Sequence, residues 1–225
     1  KQFMKAGAIV LINSRKKELT SDLKNDLDKI SSNYEFISAN MSNTDNVEIV
    51  FSHIKKKYGK LDILVNSAGV SQKRKFDEIT ITDWQEVIDN NITNTFFTSV
   101  EAIKLMKENS YGKIINVSSI AGRNRSQMAG VHYSMAKSAV ITITRQMAAE
   151  AAEFGININC VAPSQTKTEM LEPFLNDHNA KRIESNIPLR RFATPDEQAN
   201  VIMFLASDLS SYMIGAILDV NGGQL

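Results

Sequence analysis

Gly112-Lys-Ile-Ile-Asn-Val-Ser118-Ser119-Ile-Ala-Gly122, followed after a short loop by Tyr133-Ser-Met-Ala-Lys137, joins an apolar run to a pair of polar side chains at helical spacing. The first part is β-branched and apolar and runs into hydroxyls and then glycine, as a buried strand does on reaching a loop. The second part places a phenol and an amine four residues apart. On a helix that spacing is one turn, so both side chains leave one face and act on the same small volume. A phenol near its reference pKa of ~10 is a poor acid-base at neutral pH. An ammonium ~4 Å away favours the phenolate by ~4 kcal/mol at an effective dielectric of ~20, before desolvation and screening. The pair therefore reads as proton-transfer machinery, with a solvated helix face or a cation resting near a ring as the bland alternative.

Outward from this stretch the same rhythm repeats. Periodicity predicts strands at 8–12, 34–39, 61–66, 113–118, 156–162 and 216–220, separated by helices at 16–31, 45–58, 82–109, 131–154 and 196–206. Alternating β and α elements with β-branched strands predict an α/β fold, a doubly wound, mostly parallel Rossmann-type sheet covered by helices on both faces, in a single domain over residues 1–225. In such sheets ligands sit outside the carboxyl ends of the strands. Ser14-Arg15, Asn40-Met41, Asn66-Ser67-Ala68-Gly69, Ser119 and the run Pro163-Ser-Gln-Thr166-Lys-Thr168 all follow predicted strands, which puts them on one common edge.

Composition narrows the classes. At 225 residues, 43% hydrophobic and 23% charged, the chain suits one globular domain with a sizeable core. A formal net charge of +1 provides no global field for nucleic acid or an anionic membrane, and Lys55 to Lys57 with Lys60 read as a solvated helix end. The longest apolar runs, such as 6–12, fall far short of the ~18 residues of a membrane span, and no secretory signal is evident. Cys160 is the single cysteine, which excludes an intramolecular disulfide and suits a reducing, cytoplasmic setting; its apolar surroundings predict core packing. His53, His132 and His178 lack metal-ligand spacing and read as surface or loop residues, with His132 a candidate for lining the site.

Taken in order, these motifs resemble the short-chain dehydrogenase/reductase family from the first residue to the last, together with Asn157-Ile-Asn-Cys-Val-Ala-Pro163 and the closing Asp219-Val-Asn-Gly222-Gly223. By that resemblance Asn91, Ser119, Tyr133 and Lys137 fall on the family's catalytic tetrad, with Ser118 a rival for the serine role. The interval from Ser119 to Tyr133 is one residue longer than usual, and the loop 122–130 takes the extra residue. The family begins with a strand, a glycine-rich turn and a helix that receives the pyrophosphate, whereas this sequence opens with Lys1-Gln-Phe-Met-Lys-Ala-Gly7, similar to the end of the family's first helix. In the family's strand order 3-2-1-4-5-6 the missing strand is central, so the expectation is a sheet with two unpaired edges and a numbering that starts after an unseen segment.

The resemblance also implies a nicotinamide cofactor. Ser14 stands where NAD-preferring relatives carry an aspartate, and the Arg15 fork next to it suits a 2′-phosphate, so NADP(H) is favoured over NAD(H). Asn40 and Met41 are expected to flank the adenine, Ser67, Ala68 and Gly69 to pass along the ribose, Lys137 to hold the nicotinamide ribose, and Thr166 and Thr168 to reach the carboxamide. Asn40 replaces a frequent aspartate, and Ser164 a usual glycine in the loop that presents Thr168. In the reduction direction Tyr133 donates a proton to the carbonyl oxygen, Lys137 lowers the Tyr133 pKa, Ser119 binds the substrate oxygen and Asn91 orders a water.

The segment 169–187, with Met170, Leu171, Phe174, Asp177, His178 and Arg182, is expected to close the substrate pocket. The run from Ile187 to Glu197 resembles 3-oxoacyl-carrier-protein reductases. Two positions matched to their basic docking residues hold Ser110 and Glu172, which places a small or sugar-derived carbonyl or alcohol substrate ahead of a carrier-linked one. A nucleotide-binding scaffold without turnover is the reading from another class. The family's long helices, here 82–109 and 131–154, imply a homo-oligomer, a tetramer by resemblance.

Overall fold

The computed structural model describes residues 1–126, 128–168, 171 and 177–224, without the side chains of Asp177 and His178. Among the described residues six parallel strands are formed, β1 (Val10–Ser14), β2 (Tyr34–Ser38), β3 (Ile63–Asn66), β4 (Gly112–Val117), β5 (Ile156–Pro163) and β6 (Ile217–Val220). They make two sheets, β1-β2 and β3-β4-β5-β6, and among the described residues β1, β2, β3 and β6 each keep one unpaired edge. The helices are α1 (Gln2–Lys5), α2 (Ser21–Asp28), α3 (Thr44–Tyr58), α4 (Ile81–Ile88), α5 (Asn94–Lys107), α6 (Val131–Ala151), α7 (Asp177–Ser185) and α8 (Pro195–Leu205).

Both sheet faces are covered, and the alternation of side chains shows how. In β4 Ile114 joins a core of Val47, Phe51 and Ile54 from α3, Leu105 and Met106 from α5, and Ala148 from α6. Ile115 faces the other way, onto Leu205 of α8 and Phe3 of α1. Both isoleucines are fully buried, which stabilises the fold by roughly 1.5–3 kcal/mol apiece. Leu11 of β1 and Leu64 of β3 pack against the same first core, so the two sheets share it although they do not hydrogen-bond.

Two predicted helices are corrected. The one expected over 16–31 is confined to Ser21–Asp28, because the Ser14 hydroxyl accepts from the Lys16 amide at 3.2 Å and holds the chain in a turn after β1. The one expected over 82–109 is broken by a π-helical turn at Asp89–Thr93. There Asn90 Nδ2 donates to the Glu86 carbonyl at 2.8 Å and Asn91 Nδ2 to the Val87 carbonyl at 2.9 Å. Side chains thus take acceptors that a regular α-helix reserves for backbone amides, and the turn widens. Other sequence expectations hold. Cys160 is fully buried, Lys55 to Lys57 form the exposed last turn of α3, and that helix ends at Gly59 in the left-handed region.

Candidate active site

Asn66 at the end of β3 and Asn116 in β4 are register partners, and Asn66 Nδ2 donates to Asn116 Oδ1 at 2.9 Å. Thr98 of α5 donates to Asn66 Oδ1 at 2.9 Å, and Asn116 Nδ2 donates to Thr144 of α6 at 2.9 Å. A satisfied polar chain therefore fixes two strands and two helices under the site. At the exit of β4, Ser118 is buried and its hydroxyl donates to the Lys137 carbonyl at 2.7 Å, while a Cβ at Gly122 would fall 2.6 Å from the Lys137 carbonyl carbon. Strand exit and α6 are in direct contact because the one hydroxyl binds the helix backbone and the glycine has no side chain to hold it off.

Ser119, the neighbouring residue, is partly exposed, its hydroxyl accepts from the Ala121 amide at 3.1 Å, and it is near enough to the Tyr133 phenol to act on its pKa. Ser118 is committed to the helix, which leaves Ser119 as the serine beside the phenol. Burial pushes the Tyr133 phenol above its ordinary value, and the nearby Ser119 hydroxyl opposes that rise. The expectation that Lys137 lowers the Tyr133 pKa is therefore not met in the structure as it stands. The Lys137 ammonium lies 5.7 Å from the Tyr133 ring centroid and donates to the Val117 carbonyl at 2.9 Å, so its first bond goes to the strand. Burial moves the Lys137 pKa down to about 8. The Cys160 thiol, pushed up to about 11 by its own burial, is neutral well below that pH and offers the lysine no charge.

The π-helical turn delivers Asn91. Its Nδ2 bridges the Val70 carbonyl at 3.0 Å and the Val87 carbonyl at 2.9 Å, and its Oδ1 is buried without a partner. A Cβ on Gly69 would sit 2.5 Å from that Oδ1 and 3.4 Å from Lys137 Nζ, so the glycine marks the point where the β3 exit, Asn91 and Lys137 converge. These observations form a test for a nicotinamide ribose. An ammonium with donors beyond its strand bond, next to a backbone stripped of side chain, suits a pair of hydroxyls, and the unused Asn91 acceptor suits a water beside them. The residues fit the group.

The other expected contacts lie along the same edge. Ser67 and Ala68 are exposed after β3. Ser14 closes β1, and Arg15 Nη1 donates to Asn90 Oδ1 at 3.2 Å, reaching from the small sheet to the turn that carries Asn91. Asn40 Oδ1 accepts from the Ser42 hydroxyl at 2.9 Å, so the oxygen expected to meet the adenine amine is already engaged. Met41 packs into the core, leaving its backbone to face a ligand. Thr166 donates to the Ser164 carbonyl at 3.1 Å and Thr168 to the Thr166 carbonyl at 3.3 Å. Among the described residues outside glycine only Ser110 and Arg190 have positive φ, so Ser164 sits without the strain its replacement of glycine suggested.

His132 corrects the surface reading. It is fully buried in the first turn of α6, with Nε2 at 3.5 Å from Gln72 Oε1 and Nδ1 without a partner. Burial lowers its pKa. Its packing depends on Gly130, where a Cβ would fall 2.6 Å from the ring, and the adjacency of a glycine one residue ahead of the helix is the only sequence signal for it. Among the described residues no cluster of metal-ligand type occurs. Of the pocket-closing segment, Glu169, Met170, Glu172 and Phe174 lie outside the described residues. Leu171 packs with Ile183 of α7, Ile187 and Phe192.

A parallel sheet with helices on both faces and a tyrosine, serine, lysine and asparagine at its carboxyl edge define an oxidoreductase of the dinucleotide-fold class. The family model described as enoyl-(acyl-carrier-protein) reductase matches residues 1–224. The 3-oxoacyl-[acyl-carrier-protein] reductase FabG of Rickettsia bellii is 36% identical over 225 residues, covering 100% of this chain and 90% of its own. The solved structure of ElxO with NADP bound superposes with a TM-score of 0.93 at 33% identity, over 99% of this chain and 91% of that one. A gluconate 5-dehydrogenase from Burkholderia cenocepacia J2315, in complex with NADP and tartrate, gives a TM-score of 0.91 at 26% identity, over 98% and 87%. The chain belongs to the short-chain dehydrogenase/reductase family. It is an NAD(P)-dependent oxidoreductase for carbonyl and alcohol chemistry.

Proposed function

We propose that the protein is an NADP(H)-preferring reductase of a small or sugar-derived carbonyl compound, in which Tyr133 is the general acid. The carrying observation is the convergence of Asn91 Oδ1 and Lys137 Nζ on Gly69, with the Tyr133 ring centroid 5.7 Å from that ammonium and Ser119 acting on the phenol. The bound nicotinamide supplies or accepts the hydride. Tyr133 holds the proton that the carbonyl oxygen receives, and its raised pKa suits the protonated state at neutral pH. Ser119 hydrogen-bonds the same oxygen and keeps the phenol pointed at it. Lys137, held by the Val117 carbonyl, binds the ribose hydroxyls, and Asn91 Oδ1 takes a water that links them to solvent.

Arg15 supports NADP(H). It is an exposed fork at the end of β1 where an aspartate would repel a 2′-phosphate, and two of the compared structures carry NADP. Ser67, Ala68 and Gly69 would line the ribose, Ser14 and Arg15 its phosphate, Asn40 and Met41 the adenine, and Thr166 and Thr168 the carboxamide. Tenfold or better kcat/KM with NADPH over NADH is expected, and a tenfold preference for NADH would reverse the assignment. Among the described residues no helix is long and apolar enough to cross a membrane.

A second reading, 3-oxoacyl-carrier-protein reduction, has the support of the FabG relatives. Glu172 stands against it, since it offers no cation to an acidic carrier, whereas Ser110 precedes the amino end of β4, at the edge opposite the site, and carries no weight on docking there. Assaying a carrier-linked and a free 3-oxoacyl substrate beside a ketose tests both. Faster turnover of the carrier-linked substrate would establish the second reading, and binding of NADPH with no turnover of any carbonyl would establish a scaffold.

A further inference from the structure

Gln165 lies at the exit of β5, and its backbone is pinned. Its carbonyl accepts from the Ala193 amide at 3.0 Å, its successor Thr166 bridges Ala193, and its predecessor Ser164 donates to the Val220 carbonyl at 3.2 Å. The side chain is underused. Oε1 is buried without a partner, and Nε2 has a thioether for its acceptor, Met128 Sδ at 3.6 Å. Met128 belongs to the loop between Ser119 and Tyr133 and packs on Leu171 and Ile183, so the amide spans from the β5 exit to the loop that joins the two reacting hydroxyls. Sulfur is a weak acceptor, and an amide left in such a position is a group held in reserve for something that can both donate and accept. The terminal torsion of glutamine is soft, so the amide can exchange the places of its two polar atoms without moving its backbone.

We infer that Gln165 is a specificity-determining residue whose amide hydrogen-bonds a hydroxyl carried close to the reacting carbonyl, selecting polyhydroxylated substrates over plain acyl chains. The inference rests on the reading of Tyr133 as the acid and names the substrate class of that same site. A hydroxyl donates to Oε1 and accepts from Nε2, satisfying both ends at once. A methylene chain in the same place leaves both unsatisfied, and a site that buries unpaired polar groups against the wrong substrate discriminates more strongly than one that merely fits the right one.

The test compares a polyhydroxy ketone with its deoxy analogue lacking the hydroxyl nearest the carbonyl, using NADPH oxidation by the wild type, Q165L and Tyr133→Phe. The wild type should favour the hydroxylated ketone by kcat/KM. Q165L should lose about tenfold on that ketone and stay within about threefold on the analogue, with NADPH affinity unchanged. Equal losses on both ketones, or no change on either, would overturn the inference, as would a wild type that favours the analogue. Q165M serves with the same expectation where Q165L folds poorly. Tyr133→Phe separates the two levels of the argument, because full activity in that variant sinks the catalytic reading whatever Gln165 does.

Discussion

Lys137 shows how far a single residue can depart from its motif. Spacing alone suggests an ammonium beside a phenolate. In the fold the amine donates to the Val117 carbonyl, stands 5.7 Å from the ring centroid, and has its pKa drawn down to about 8 by burial. A lysine that titrates at 10.5 unfolded and about 8 folded binds fewer protons in the folded state between those values. This group's contribution to stability therefore rises with pH across that window, by at most ~1.4 kcal/mol per pH unit. Denaturant unfolding of the cofactor-free wild type and K137M should show the wild type gaining on the variant from pH 8 toward pH 10. Parallel curves would mean that the amine is not desolvated. Sequence reasoning missed the Lys137 geometry because the competing acceptor is a backbone carbonyl from a strand twenty residues earlier, and no side chain announces it.

Among the elements, the contact between the β4 exit and α6 carries the site. Gly122 is the position at which it is most exposed to test, since a Cβ there would meet three backbone atoms of Lys137 and Ser138 within 2.8 Å. Backbone cannot step aside as a flexible side chain does. Gly122→Ala should cost about 1–3 kcal/mol and lower Tm by several degrees, with activity falling as α6 shifts relative to Ser119. An unchanged Tm in differential scanning calorimetry would show that the close approach is relaxed in solution. The six strands and the helices between them were legible because β-branched runs and helical periodicity alternate from β1 to β6, whereas α7 was read only as part of a pocket-closing segment. The break at Asp89–Thr93 was not, because asparagines in a helical pattern look like solvent-facing residues. Only the fold shows that Asn90 and Asn91 turn back onto Glu86 and Val87. The site's four polar residues were legible as a set, whereas the burial of His132 and the engagement of Asn40 by Ser42 follow from packing that the sequence pattern does not encode.

At the scale of the whole molecule, the chain leaves large apolar side chains on the helices expected to meet symmetry mates. Ile81 and Trp84 of α4, Phe96 and Phe97 of α5, and Val131 and Met135 of α6 are all exposed. With a net charge of +1 there is little electrostatic repulsion to keep copies apart, and the chain should assemble as a homo-oligomer, a tetramer by family resemblance. Sedimentation velocity at micromolar concentration should give a single species well above 25.1 kDa, and a monomer would contradict this.

Tyr133 as the acid of a carbonyl reductase is checked by single-turnover reduction with the Tyr133→Phe variant. The variant loses one hydroxyl and keeps the ring, the helix and the Lys137 contact. Turnover of a ketone that the wild type reduces should fall by about 10²–10⁴-fold while NADPH binds with near wild-type affinity. A Tyr133→Phe enzyme that retains the wild-type rate would contradict the account.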